Sequence, residues 1–122
     1  MSLFTQLKTK AAHLVRGESA EQQACHYLQK QGLTLIERNF RCKQGELDLI
    51  MQDKQTLVII EVRYRKTQQS ALESITRAKQ SRIIAATQIY LSQHKTNTAI
   101  RFDVLTLSED GQCNWIKNAF GL

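Results

Sequence analysis

Residues 45–66 read GELDLIMQDKQTLVIIEVRYRK, and the rest of the chain is organised around them. The stretch predicts two strands, over 46–51 and 56–65, joined by the polar connection 52–55. Successive side chains of a strand point to opposite faces. Strict alternation therefore puts Leu47, Leu49 and Met51 on one face, and Glu46, Asp48 and Ile50 on the other. In the second strand Leu57, Ile59, Glu61 and Arg63 share one face, while Val58, Ile60 and Val62 share the opposite one. A carboxylate inside a buried apolar run is costly unless a cation or hydrogen-bond donors compensate it. Asp48 and Glu61 are thus the two residues that need an explanation.

Working outward, the chain before this pair predicts a strand over 33–40, with Leu33, Leu35 and Glu37 on one side, and a basic turn over 41–44. A helix over 19–31 precedes it, with Ala20, Ala24, Tyr27 and Leu28 facing inward and Gly32 as the stop signal. Leu3, Phe4, Leu7, Ala11, Leu14 and Val15 recur at near-helical spacing, so residues 1–16 predict a short amphipathic helical extension ended by Gly17. It reads either as a cover for part of the core or as a membrane-surface helix. After the strand pair, a long helix over 71–93 is expected to bury Leu72, Ile75, Ala78, Ile83, Ala86, Ile89 and Tyr90. Strands over 100–107 and 112–117 flank the turn Glu109-Asp110-Gly111.

Short connections make the first three strands an antiparallel meander. The long helix before the fourth permits a crossover to a parallel partner. The expectation is an α/β fold: a mixed central sheet flanked by helices. A chain of 122 residues is the size of one domain, so 1–122 is read as a single domain.

Seventeen Lys and Arg against eleven Asp and Glu give a net charge of +6, which favours a polyanionic partner. The three cysteines, Cys25, Cys42 and Cys113, are far apart and form no CxxC pair. That argues against a disulfide framework or a structural zinc, and fits a reducing cytoplasm. No apolar run is long enough to span a bilayer, so no membrane partner is expected. His13, His26 and His94 show no ligand spacing and are expected at helix surfaces. Cys25 is expected in the core, and Trp115 and Phe120 as packing residues.

Side chains at 61 and 63 point the same way, about 7 Å apart along the strand, and Asp48 on the paired strand can lie beside them. Two carboxylates that close repel unless a proton or a metal separates them. Mg²⁺ and similar hard cations take one or two carboxylates, with waters and substrate phosphates completing the shell. A metal, a phosphate and a basic surface together point to phosphodiester hydrolysis. The plainer alternative is a structural ion-pair cluster with Arg63 or Arg65. Lys43, Arg65, Lys66, Arg77, Lys79 and Arg82 fall in the turn before, the strand end after and the helix following the acidic pair. If those elements converge, these cations contact phosphates; otherwise they are a solvated surface.

Arg16-Gly17-Glu18, Glu21, Ala24, Tyr27-Leu28 and Gly32, then GELDLI at 45–50, IEVRYR at 60–65 and RFDV at 101–104, resemble the YraN-like uncharacterised bacterial proteins. That family is similar in pattern to the PD-(D/E)xK nucleases, whose restriction-endonuclease-like fold includes archaeal Holliday-junction resolvases. The resemblance implies an αβββαβ core and a metal-dependent DNA endonuclease. It places Asp48 and Glu61 as ligands of Mg²⁺ or Mn²⁺, and Glu21 as an acidic residue on the first helix that assists directly or through water. Arg63 stands where those nucleases carry a lysine. An arginine cannot act as a general base, but it can hold a phosphate oxygen. Lys66 or Lys79 could supply the missing ammonium from its own element. A module of the same fold that binds nucleic acid without cutting it is the alternative, and a two-fold homodimer follows by analogy.

Overall fold

In the computed structural model, which describes residues 16–121, the stretch read first forms the middle of a five-stranded sheet. Strands β1 (Thr34–Cys42), β2 (Gly45–Asp53) and β3 (Thr56–Arg65) pair antiparallel in chain order. Strand β4 (Ala99–Ser108) then pairs with β3 in parallel, and β5 (Cys113–Phe120) returns antiparallel along β4. The sheet order is β1-β2-β3-β4-β5, so the one parallel pairing is where the helical crossover occurs. Helix α1 (Arg16–Lys30) precedes the sheet, and α2 (Gln68–Glu73) and α3 (Arg77–His94) make the crossover. The helical extension expected over 1–16 falls, but for its last residue, outside the described residues, and its expected end at Gly17 is corrected: Arg16 and Gly17 both lie within α1. None of the described helices is long and apolar enough to cross a membrane.

The sheet separates two apolar layers. On one face Ala20, Ala24, Cys25 and Leu28 of α1 pack with Leu33, Leu49, Met51, Val58, Ile60, Val62 and Leu105. On the other, Ile83, Ala86 and Tyr90 of α3 pack with Phe40, Leu47, Ile50, Leu57, Ile59 and Phe102. Each fully buried Leu or Ile contributes about 1.5–3 kcal/mol. Because β2 and β3 are covered on both sides, their central segments, 47–51 and 57–62, are apolar on both faces except at Asp48 and Glu61. At the end of α1, Gly32 has φ +104 and Leu33 N–H donates to Leu28 O at 3.1 Å, the glycine stop expected from sequence.

Three further expectations are corrected. The helix predicted over 71–93 is two helices, because Ser74 and Thr76 turn the backbone between them. Ser74 Oγ donates to Ala71 O at 2.6 Å, and Thr76 caps α3 by accepting from Lys79 N–H at 3.1 Å. As a result Leu72 and Ala78 are exposed rather than buried. Leu47 does not share a face with Leu49 and Met51: it packs under α3, and they pack under α1. Glu37 does not share a face with Leu35 either. A register shift between Leu35 and Glu37 intervenes, Leu35 packs on the α1 layer, and Glu37 lies near Tyr90 of the α3 layer.

Candidate functional site

The break in alternation between Leu47 and Leu49 falls on Asp48, which is buried. Pairing of β2 with β3 stops at Leu49–Ile60, one residue short of Asp48. Beyond that point the Asp48 side chain replaces the missing backbone acceptor: its Oδ2 accepts a hydrogen bond from Val62 N–H at 2.9 Å. Asn39, which falls opposite Asp48 in the β1–β2 register, has φ 54, a left-handed conformation that asparagine tolerates. Strand β2 therefore parts from β3 at Asp48, leaving a carboxylate at the fork.

Glu61, on β3, is 2% exposed. Its carboxyl group lies close enough to that of Asp48 to share a hydrogen bond. Two cations face it: Arg63 Nη2 is 2.8 Å from Glu61 Oε2, and Lys79 Nζ is 3.6 Å from the same oxygen. The break before α3 and the Thr76 cap aim that helix's first turn at the sheet, which is how Lys79 arrives. Arg63 is 2.8 Å away by distance but not in hydrogen-bond geometry. Glu61 Oε2 and Arg63 Nε are both buried without a hydrogen-bond partner among the described residues. Burial first, and the neighbouring Asp48 charge second, push the Glu61 carboxyl up to about 8, against the opposing pull of Arg63 and Lys79.

A cleft of about 490 Å³ opens beside this pair. It is lined by Ala20 and Glu21 of α1, Glu46 and Asp48 of β2, Val62 to Arg65 of β3, and the following Lys66 and Glu109. Of the residues expected at a metal, Asp48 and Glu61 are brought together. Glu21 reaches the same cleft, but no three Asp, Glu, His or Cys side chains among the described residues gather closely enough to hold an ion. Of the expected cations, exposed Arg65 and Lys66 line the cleft and Lys79 meets Glu61. Exposed Arg82 lies against the β1–β2 turn that carries exposed Lys43. A Cβ on Gly45, the first residue of β2 after that turn, would lie 3.2 Å from Arg82 O, a tight contact that favours glycine there. Arg77 is exposed at the first position of α3.

A third buried carboxylate, Asp103 on β4, is absent from the sequence-based site and offers a contrast. Arg101 donates to both of its oxygens, from Nε at 2.9 Å and an Nη at 3.0 Å. Trp115 Nε1 and Asn118 N–H each donate at 2.9 Å. Asp103 is saturated, and it pins the register shift between Phe102 and Val104 where β5 joins β4. Its position inside an apolar strand was the available signal. Asp48 and Glu61 differ in that their donor set is incomplete. Trp115 packs on the α1 layer and Phe120 stacks on Phe102. His26 and His94 are exposed, while His13 lies outside the described residues.

Other bacterial proteins are similar to this chain over most of its length. Residues 20–107, which include both carboxylates and both facing cations, match the model of the uncharacterised protein family UPF0102. A UPF0102 protein of Herminiimonas arsenicoxydans is 50% identical over 122 residues, covering 98% of each chain. One from Nitrosococcus oceani is 51% identical over 117 residues, covering 90% of this chain and 94% of the relative. A Coxiella burnetii relative is 49% identical over 107 residues, covering 84% and 89%. With nearly its whole length matched at such identity, the chain belongs to the UPF0102 family.

Proposed function

We propose that this protein is a metal-dependent endonuclease that hydrolyses phosphodiesters in DNA, branched DNA among its candidate substrates, on a restriction-endonuclease-like core. One observation carries the reading: two buried carboxylates, Asp48 and Glu61, lie side by side at the point where β2 parts from β3, next to an open cleft. The order of one helix, a three-stranded meander, a helical crossover and a parallel fourth strand supports the core assignment.

The donor set fits Mg²⁺ or Mn²⁺. Glu61 presents a buried oxygen with no hydrogen-bond partner among the described residues, and oxygen-only ligands of this kind suit hard cations. Asp48 and Glu61 would hold the ion, and Glu21, which lines the same cleft, would assist directly or through water. A divalent cation so held supplies polarisation of a phosphate oxygen and a more acidic water. The remaining work falls to the chain. Arg63, at the cleft wall, would hold a non-bridging oxygen of the phosphodiester and stabilise its developing charge. Arg65 and Lys66, with Lys43 and Arg82 near the β1–β2 turn, would fix the backbone without reading sequence. Lys79 keeps an ammonium beside Glu61 when Arg63 engages the phosphate.

A second reading, a module that binds nucleic acid without cleaving it, has one observation in its favour: Glu61 Oε2 already faces two protein cations. The two readings separate on labelled linear, flapped and four-way-junction DNA incubated with EDTA, Mg²⁺ or Mn²⁺. Cutting that needs metal and disappears in Asp48→Asn and Glu61→Gln supports the enzyme. Binding that survives Asp48→Asn, with no cutting under any metal, supports the module.

A further inference from the structure

Arg63 and Glu61 pair imperfectly. The guanidinium sits 2.8 Å from Glu61 Oε2, with both side chains largely buried, yet that oxygen and Arg63 Nε each lack a hydrogen bond. A buried arginine and glutamate in a settled ion pair normally satisfy one another with parallel N–H···O bonds. Here the cation supplies charge without supplying bonds. Arg63 also lines the cleft beside Asp48, whereas Glu61 does not reach the cleft wall. The guanidinium therefore stands between the cleft and the second carboxylate.

We propose that Arg63 is an internal counter-ion in the position a divalent cation must take, and that a phosphodiester entering the cleft draws it off Glu61. Metal loading then depends on nucleic acid: the backbone phosphate accepts the guanidinium, and the vacated carboxyl pair releases its shared proton to water and accepts the ion. This rests on the metal-site reading above and adds an order to it. Three features allow the exchange. The cleft is open on the side where Arg63 lies. A phosphate offers the guanidinium the two-oxygen acceptor that Glu61 does not give it. Lys79, 3.6 Å from Glu61 Oε2 on a separate helix, remains as a partial counter-charge while the arginine is away. Linkage makes the effect reciprocal, so the ion tightens DNA by the factor by which DNA tightens the ion. A resting protein that holds no divalent ion until DNA arrives would be spared hydrolysis of other phosphates in its surroundings.

The test is Mn²⁺ binding, followed by the electron-paramagnetic signal of free Mn²⁺. The parent, Arg63→Met and Arg63→Gln are each titrated alone and with a 16-base-pair duplex carrying phosphorothioate linkages that slow cleavage. Thermal melting confirms that each variant is folded, and the two neutral replacements guard against a misfolded one. The parent should bind Mn²⁺ on the order of tenfold or more tightly once duplex is present. Either folded variant should bind Mn²⁺ that tightly without duplex and gain little from it. A parent that binds Mn²⁺ without duplex as tightly as the variants, through a site lost in Asp48→Asn, overturns the ordered loading and leaves the metal-site reading standing. Absence of any Asp48-dependent Mn²⁺ binding, with or without duplex, overturns both.

Discussion

The Asp48 carboxylate accepts the Val62 N–H at 2.9 Å at the point where β2 ceases to pair with β3. One side chain thus completes a backbone ladder with one oxygen and leaves the carboxyl group facing Glu61. This double duty separates the effects of two substitutions. Asp48→Asn keeps an oxygen acceptor for Val62 and should cost less than about 1 kcal/mol, whereas Asp48→Ala strands a buried N–H and should cost about 1–3 kcal/mol. Urea denaturation of the two variants against the parent measures the difference.

Glu61 makes stability depend on pH. Its carboxyl is raised from 4.5 to about 8 in the folded protein, chiefly by burial and then by Asp48. Between those values the folded chain holds a proton that the unfolded chain releases, so stability falls as pH rises across the window. Below pH 4.5 both states are protonated, and this group's favourable contribution is fully present. Glu61→Gln removes the titration. Its melting temperature should exceed the parent's at pH 8–9, and the gap should close toward pH 5. A gap that is constant with pH would contradict the raised carboxyl.

Asp103 should behave as structure alone. Replacing it with Ala leaves Arg101, Trp115 Nε1 and Asn118 N–H without their common acceptor. The loss should be about 3–5 kcal/mol, typical of breaking one partner out of a buried charged pair. Asp103→Asn, which keeps one acceptor oxygen, should lose less. Chemical denaturation gives both values, and Mn²⁺ affinity of the folded Asn variant should equal the parent's.

The cations at the cleft end of the sheet should set the salt dependence of DNA binding. Removing Arg65 and Lys66 together should weaken binding to all sequences alike. Each lost phosphate contact should lower the slope of log affinity against log salt by about 0.9. Fluorescence anisotropy on two unrelated duplexes over a range of salt measures both. An unchanged slope would remove those residues from the interface.

Much of this was legible in the chain. Residues 56–65 read as a strand and form β3 (Thr56–Arg65) with the same ends, because an apolar β-branched run bounded by a polar turn has little alternative. The meander and the parallel crossover follow from connection lengths. The pairing of Asp48 with Glu61 follows from placing acids in adjacent buried strands. What was hidden is local. Period-two alternation cannot register the fork at Asp48, which reassigns Leu47 to the α3 layer, nor the shift that separates Glu37 from Leu35. The stop between α2 and α3 depends on two hydroxyls, Ser74 and Thr76, that also occur inside helices. Lys79 was one of two lysines that could reach the acids, and only the placement of α3 selects it as the partner of Glu61.

The central claim is that Asp48 and Glu61 form a metal-dependent catalytic pair. Its most direct test is cleavage of a fluorescent four-way junction by parent and Asp48→Asn proteins of matched stability, with Mn²⁺ and with EDTA. Products should form only with the parent and only with Mn²⁺, while Asp48→Asn still binds the junction. Equal cutting by the folded variant, or none by the parent under any metal, would contradict it.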